Sequence, residues 1–233
     1  MSGHSKWSQI KHKKAISDQK KGQVFSKLAR EITVAAKGNP DPKTNYQLKS
    51  IIDKARSVNM PQENIERAIK RVSEKNATQL SEVQLEAIGP AGVAIIIRAI
   101  TDSPNRTLND LRILLSKVGV RTAGEGSLSW MFKKTGVIRC TKDSNREAVE
   151  LAAIEEGVLD IREEGASLVI YTAPEELEKT REHLASLTTL EAGIELVPSS
   201  QISLTSSEAE QLDHILELID AHDDVQEIYT NAS

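Results

Sequence analysis

Cysteine is nearly absent: the 233-residue chain contains one, Cys140. A single thiol excludes an intramolecular disulfide framework and any cysteine-cluster zinc site, and it fits a reducing compartment. Aromatic residues make up only 3%, so the cores must be aliphatic. No window approaches ~18 consecutive apolar residues, which excludes a membrane-spanning helix. The N-terminus lacks the apolar stretch of a secretory signal, and Ser2 stands where myristoylation needs glycine. Catalytic signatures are missing too: there is no Gly-x-Ser-x-Gly elbow, Walker loop or His-Glu-x-x-His. What is left, 39% hydrophobic and 27% charged, is the composition of an ordinary globular chain. The expectation is a cytoplasmic protein with no cofactor, no metal, no small-molecule substrate and no catalytic residues.

The net charge of −4 conceals a strong asymmetry. Residues 1–75 hold 17 Lys and Arg against 7 Asp and Glu, or +10. Residues 76–135 are +2, residues 136–199 are −8, and residues 200–233 are −8 with no Lys or Arg. Such a split predicts a basic module built for a polyanion, carried on an acidic body that stays off it.

Residues 1–18 are polar without an apolar stripe and predict an extended or partly ordered arm. From Gly22 a helical pattern begins, with Val24, Leu28 and Ile32 four residues apart, and Gly38-Asn39-Pro40-Asp41-Pro42 stops it. A second stripe runs Leu48, Ile51, Ile52, Ala55, Val58; a third, after Pro61, runs Ile65, Ala68, Ile69, Val72. Three short amphipathic helices make a small bundle. After a polar linker the period becomes that of strands. Glu82–Ile88 and Val93–Thr101 flank a Gly89-Pro90-Ala91-Gly92 hairpin loop, a helix follows Ser103-Pro104 and ends at Gly119, and Ser127–Phe132 is a predicted third strand.

From Gly136 the pattern is βαββαβ: strand 137–141, helix 145–156, strands 159–162 and 167–172, helix 174–187, strand 194–197. That order is the ferredoxin-like arrangement. Ser144 with Glu147, and later Ser207 with Glu210, have the spacing of capping boxes. A short strand near 202–204, a helix with stripe Leu212, Ile215, Leu216, Ile219, and strand 225–229 complete the chain. Segment 82–133 has one helix for its sheet, and 200–233 has a helix and strand without partners. Joining them completes one domain, so the predicted fold is α+β: a helical bundle (1–75), a discontinuous α/β domain (82–133 plus 200–233) and an inserted domain (136–198). Two serial domains are the alternative, and would leave each sheet poorly covered.

Few residues invite a chemical role. Gly124-Glu125-Gly126 precedes a strand and reads as a turn, not a dinucleotide site. His222-Asp223-Asp224 reads as a solvated loop, and Cys140 as buried filler. The inserted domain lacks the aromatic and basic strand residues of an RNA-recognition motif. The arm is different. Lys6, Trp7, Lys11, His12, Lys13, Lys14, Lys20 and Lys21, continued by Lys27 and Arg30, offer cations for phosphate and flat rings for unpaired bases. Arg67, Lys70 and Arg71, one helical turn apart on the third helix, extend that face. Against this stands the plain alternative of a solvated Lys-rich tail and a wet helix surface.

Gly3-His4-Ser5-Lys6-Trp7, Ile10-Lys11-His12-Lys13-Lys14-Ala15, Lys20-Lys21-Gly22, Asn59-Met60-Pro61 and Asn64-Ile65-Glu66-Arg67-Ala68-Ile69-Lys70-Arg71 form a series of motifs. It continues through Gly89-Pro90-Ala91-Gly92-Val93, Asn105-Arg106-Thr107, Trp130-Met131-Phe132 and Asp223-Asp224-Val225-Gln226. Running in order over almost the whole chain, these resemble the signature of the YebC family. The resemblance implies a three-domain fold and binding of DNA or the ribosome without catalysis. Members are labelled transcriptional regulators, a mitochondrial relative is a translational activator, and bacterial members are implicated in relieving stalled ribosomes. Where members commonly carry a Gly-Gly-Asn-Leu-Gly-like stretch, this chain has Gly119-Val120-Arg121-Thr122-Ala123.

The expected function is therefore a non-enzymatic regulator of gene expression that binds DNA or ribosomal RNA, with the ribosome as favoured partner. Arg106 and Arg112 are second-tier contacts. The competing classes are a protein-binding adaptor acting through the acidic domains, and an undetected hydrolase.

Overall fold

A computed structural model of the chain describes residues 18–73, 79–141, 146–164, 167–186 and 190–233. The first helix, α1, spans Asp18–Ala35, starting four residues before the apolar stripe would place it. Its polar opening carries no periodic signal, so the apolar stripe could not mark the start. Helices α2 (Tyr46–Ser57) and α3 (Gln62–Lys70) follow, and a 3-10 turn at Arg71–Ser73 ends the bundle. Leu28, Ile32, Ala36, Leu48, Ile52, Ala55, Ile65 and Ala68 fill the space between the helices, as the stripes predict. Asn45 fastens one bend. Its Oδ1 accepts from the Leu48 amide at 3.0 Å while its Nδ2 donates to the carbonyls of Ala35 and Asn39, both at 2.7 Å.

The strands of the first sheet are β1 (Ser81–Ile88), β2 (Ala94–Thr101), β3 (Arg121–Thr122) and β8 (Val225–Thr230). They lie in the order β3-β1-β2-β8, antiparallel throughout. Two helices, α4 (Pro104–Lys117) and α7 (Ser206–Asp220), bury Leu111, Leu115, Leu212, Ile215, Leu216 and Ile219 with Leu85, Ile95, Ile97 and Ile228 of the sheet. The strand near 202–204 reduces to one parallel bridge, Ile202 with Ala232.

Two local expectations are overturned. The third strand is not Ser127–Phe132 but the two residues Arg121 and Thr122 on the edge of β1. Residues 124–131 instead form turns ending in a 3-10 segment at Ser129–Met131. The reason lies in Glu86, whose carboxylate takes the Leu128 amide at 2.6 Å, a donor the strand would have used in its ladder, and the Gly126 amide just before it at 3.0 Å. The cap of α7 is Thr205 with Glu208, two residues before the predicted Ser207 and Glu210. Both pairs have the spacing, and the helix takes the one whose leading residue is extended (φ −66°, ψ 161°). The Ser144 box lies outside the described residues.

The second sheet belongs to a unit made of β4 (Phe132–Thr141), α5 (Arg146–Glu155), β5 (Asp160–Glu164), β6 (Ser167–Thr172), α6 (Leu177–Leu184) and β7 (Leu190–Pro198). Its strand order, β5-β6-β4-β7, is that of the ferredoxin-like βαββαβ topology. Cys140 is buried there beside Ile138, Leu168 and Ile170, and burial pushes its thiol up to about 11. Phe132–Val197 forms one compact unit; the described residues up to Met131, with Pro198–Ser233, form the other.

Candidate nucleic-acid interface

The predicted site residues fall into five groups. Lys6, Trp7, Lys11, His12, Lys13 and Lys14 lie outside the described residues. Lys20 and Lys21 sit on the opening turn of α1, with Lys21 exposed. Arg67, Lys70 and Arg71 are exposed at the end of α3 and pair with no acid among the described residues. Their place at the negative end of that helix dipole is favourable, so three cations gather on one turn at little cost. Arg112 is exposed and donates to Asn109 Oδ1 at 3.3 Å.

The last group is paired with acids, contrary to expectation: Lys27 and Arg30 are turned inward, while Arg106 stays exposed. Lys27 is 8% exposed, and its Nζ reaches Asp220 Oδ1 at 2.9 Å and the Asp220 carbonyl at 2.7 Å. Arg30 donates to the Asp223 carbonyl and pairs with Asp224 Oδ1 at 3.1 Å. Arg106 is divided between Asp102 at 2.9 Å and Asp224 at 3.5 Å. Their charges are neutralised by acids of the segment that closes α7 and, for Arg106, by Asp102 as well; Lys27 and Arg30 thereby join α1 to the first sheet domain. Helical periodicity put Lys27 and Arg30 on α1; it could not show that an acidic tail almost two hundred residues later meets them.

The same contacts correct the view of His222-Asp223-Asp224 as a solvated loop. Asp224 is 5% exposed. Its Oδ2 accepts from Thr107 Oγ1 at 2.6 Å, the Thr107 and Thr101 hydroxyls lie 2.8 Å apart, and the Asp224 amide donates to His222 Nδ1 at 3.2 Å. Burial opposes the charge, but the Thr107 hydroxyl, Arg30 and His222 outweigh it and hold the carboxyl below its ordinary value. The Asp-Asp pair before a strand was the available signal, and composition alone could not tell it from a wet turn.

Glu86 is a second inward carboxylate, 2% exposed and facing no cation among the described residues. Besides the two amides it accepts from Ser129 Oγ at 2.6 Å and from Gln84 Nε2 at 3.1 Å. Burial raises its pKa, and these four donors together bring it below the usual carboxylate range. Among the described residues no group of His, Cys, Asp and Glu is arranged to hold a metal ion, and no helix is long and apolar enough to cross a membrane.

The chain is thus an α+β protein whose helical bundle shows exposed cations and is tied by ion pairs to an antiparallel sheet domain. Its family follows from two matches. Residues 5–75 match the model of the TACO1/YebC protein N-terminal domain, and residues 80–232 match that of the TACO1/YebC second and third domain. The chain belongs to the TACO1/YebC family. It is similar to a protein of Pseudothermotoga lettingae named "Probable transcriptional regulatory protein", 42% identical over 236 residues, covering 99% of this chain and 93% of that one. A protein of Carboxydothermus hydrogenoformans with the same name is 42% identical over 239 residues, covering 99% and 98%. The crystal structure of a conserved hypothetical protein from Aquifex aeolicus superposes with a TM-score of 0.89 at 38% identity, covering 98% of this chain and 97% of that one.

Proposed function

We propose that this protein regulates gene expression by binding nucleic acid, without catalysis, and that its physiological ligand is RNA on the ribosome, where it supports elongation. The observation that carries the binding is the division of cations. Lys27, Arg30 and Arg106 are consumed by acids, whereas Arg67, Lys70 and Arg71 stay exposed, with no acid against them among the described residues, in a module whose N-terminal segment is rich in lysine. The relatives' name supports a regulator. The preference for RNA rests on chemistry. Lysine supplies 13 of the 17 cations in residues 1–75, and lysine acts as a point charge on phosphate instead of a bidentate reader of guanine. Salt-steep, sequence-tolerant binding follows, with Trp7 and His12 offering faces to protruding bases.

The test is a competition titration near physiological salt between ribosomes, bulk RNA and a random promoter library. Ribosomes should win. Selection of a defined duplex site at nanomolar affinity, surviving excess ribosomes, would establish the transcriptional alternative. A protein-binding role is the second reading, favoured by Leu151 and Ile154, 62% and 63% exposed on α5 of the acidic unit. It predicts partners that stay bound after nuclease treatment.

A further inference from the structure

Trp130 is the most exposed of the large apolar side chains among the described residues, at 76%. It does not sit on a loose loop. The Ala123 amide donates to the Glu86 carbonyl at 2.8 Å, the Glu86 carboxylate takes Gly126, Leu128 and Ser129, and the Ser129 hydroxyl accepts from Gln84 Nε2 at 2.9 Å. On the far side, the Ser199 amide donates to the Met131 carbonyl at 2.8 Å. The indole is fixed as well, with Nε1 donating to the Ser127 carbonyl at 2.8 Å. A carboxylate buried without a cation is costly. Here it is used to hold one large ring out in solvent.

We infer that Trp130 is a stacking platform for a single unpaired base, a second nucleic-acid contact separate from the basic bundle. This rests on the nucleic-acid reading and narrows it to ligands with unpaired bases. Three observations choose a base over a protein partner. The indole N–H is already used, which leaves the π faces, the part of the ring a base needs. The loop residues Gly124, Glu125, Gly126 and Ser127 are small or polar, and no other large exposed apolar side chain lies on this loop or on β1. A protein hot spot needs a wide apolar surround, whereas the loop beside Trp130 offers only the partly exposed Leu128 and Met131, and its glycines and serines let a sugar–phosphate backbone approach. The ring itself carries no charge, and truncating it leaves the charges nearest in sequence, exposed Lys133, Lys134 and Glu125, in place. Stacking here should therefore add affinity without adding to the salt dependence.

The protein's two tryptophans make the test direct. In full-length Trp7→Phe protein, Trp130 is the sole indole. It is titrated with fluorescein-labelled oligoadenylate and with a duplex of equal length, following anisotropy for binding and indole emission for contact. Oligoadenylate should quench the emission, and the duplex should bind without quenching. Trp130→Ala should weaken single-strand affinity about five- to a hundredfold, the range for one base on an aromatic ring. Trp130→Phe should keep most of it, and the slope of log affinity against log salt should stay unchanged in both. The ring is exposed, so an unchanged unfolding midpoint verifies the fold. Anisotropy that reports binding, with unquenched emission and no loss in Trp130→Ala, overturns the inference and leaves the nucleic-acid reading standing. Absence of binding to either probe removes both.

Discussion

At the scale of single residues the same side chain types do opposite jobs, and burial decides which. Lys27 and Lys70 are both helical lysines, but one has Asp220 at 2.9 Å and the other faces water. Lys27→Met should lower the stability measured in urea by about 1–3 kcal/mol, since it strips a charge-assisted hydrogen bond from Asp220, and leave the salt slope of nucleic-acid binding untouched. Replacing Arg67, Lys70 and Arg71 by Gln should do the reverse: stability within about 0.5 kcal/mol, and a slope shallower by roughly one for each phosphate that is no longer neutralised. The buried carboxylates set the pH dependence. Glu86 and Asp224 are held below their ordinary values in the folded state. Their contribution is therefore complete above the unfolded-state pKa, about 4, and is lost as pH falls through the lower folded values. Unfolding free energy should be flat near neutrality and fall in acid, with a shallower acid limb in Glu86→Gln and in Asp224→Asn. Neither carboxylate was legible as buried in the sequence. Glu86 alternates within a strand as a solvent-facing residue would, and only the turn folded over it puts it inside.

At the scale of elements, most of the fold was legible because apolar periodicity is a local signal. The bundle stripes, the 81–101 hairpin, the stripe of α7 and the βαββαβ order all match the residues that are buried. The failures share one cause, polar groups that periodicity does not register. A strand at 127–132 lost its Leu128 amide to Glu86, and the cap of α7 moved to Thr205, which shares its residue class and spacing with Ser207. Arg121 and Thr122 pair with Ile88 and Ala87 as an edge strand. In the second sheet one glycine is bound by packing. A Cβ on Gly136 would meet Thr172 Oγ1 at 2.3 Å and Leu177 Cβ at 3.0 Å, so β4 can lie against β6 and α6 only if that carbon is missing. Gly136→Ala should destabilise the second unit by about 1–3 kcal/mol. In a two-step melt the transition of that unit should move while the Trp130 signal of the other unit stays in place; a shift of both together would mean that the two unfold as one.

At the scale of the whole molecule, the chain leaves one unit at Met131 and rejoins it at Pro198, and the Ser199 amide already donates to the Met131 carbonyl at 2.8 Å. The two ends of the intervening segment are thus side by side within the unit that contains the bundle, the first sheet and Trp130. Loop-closure cost grows only slowly with length, so removing the segment asks little of the remainder. Among the described residues, the sheet β3-β1-β2-β8 draws no strand from it, and the core beneath α4 and α7 draws no side chain. Replacing 132–197 by a short glycine–serine linker should therefore leave a cooperatively folding protein that still binds RNA. It should also change the binding in a definite direction. Residues 132–197 carry 8 basic and 14 acidic side chains, a net −6. Removing that charge should strengthen binding at low ionic strength and leave it nearly unchanged at about 1 M salt, where charges are screened beyond roughly 3 Å. Anisotropy titrations of the shortened and full-length proteins across a salt series measure both points. A shortened protein that folds but binds no tighter at low salt would mean that the acidic segment does not oppose the nucleic acid. One that fails to fold would mean that the first sheet depends on the second.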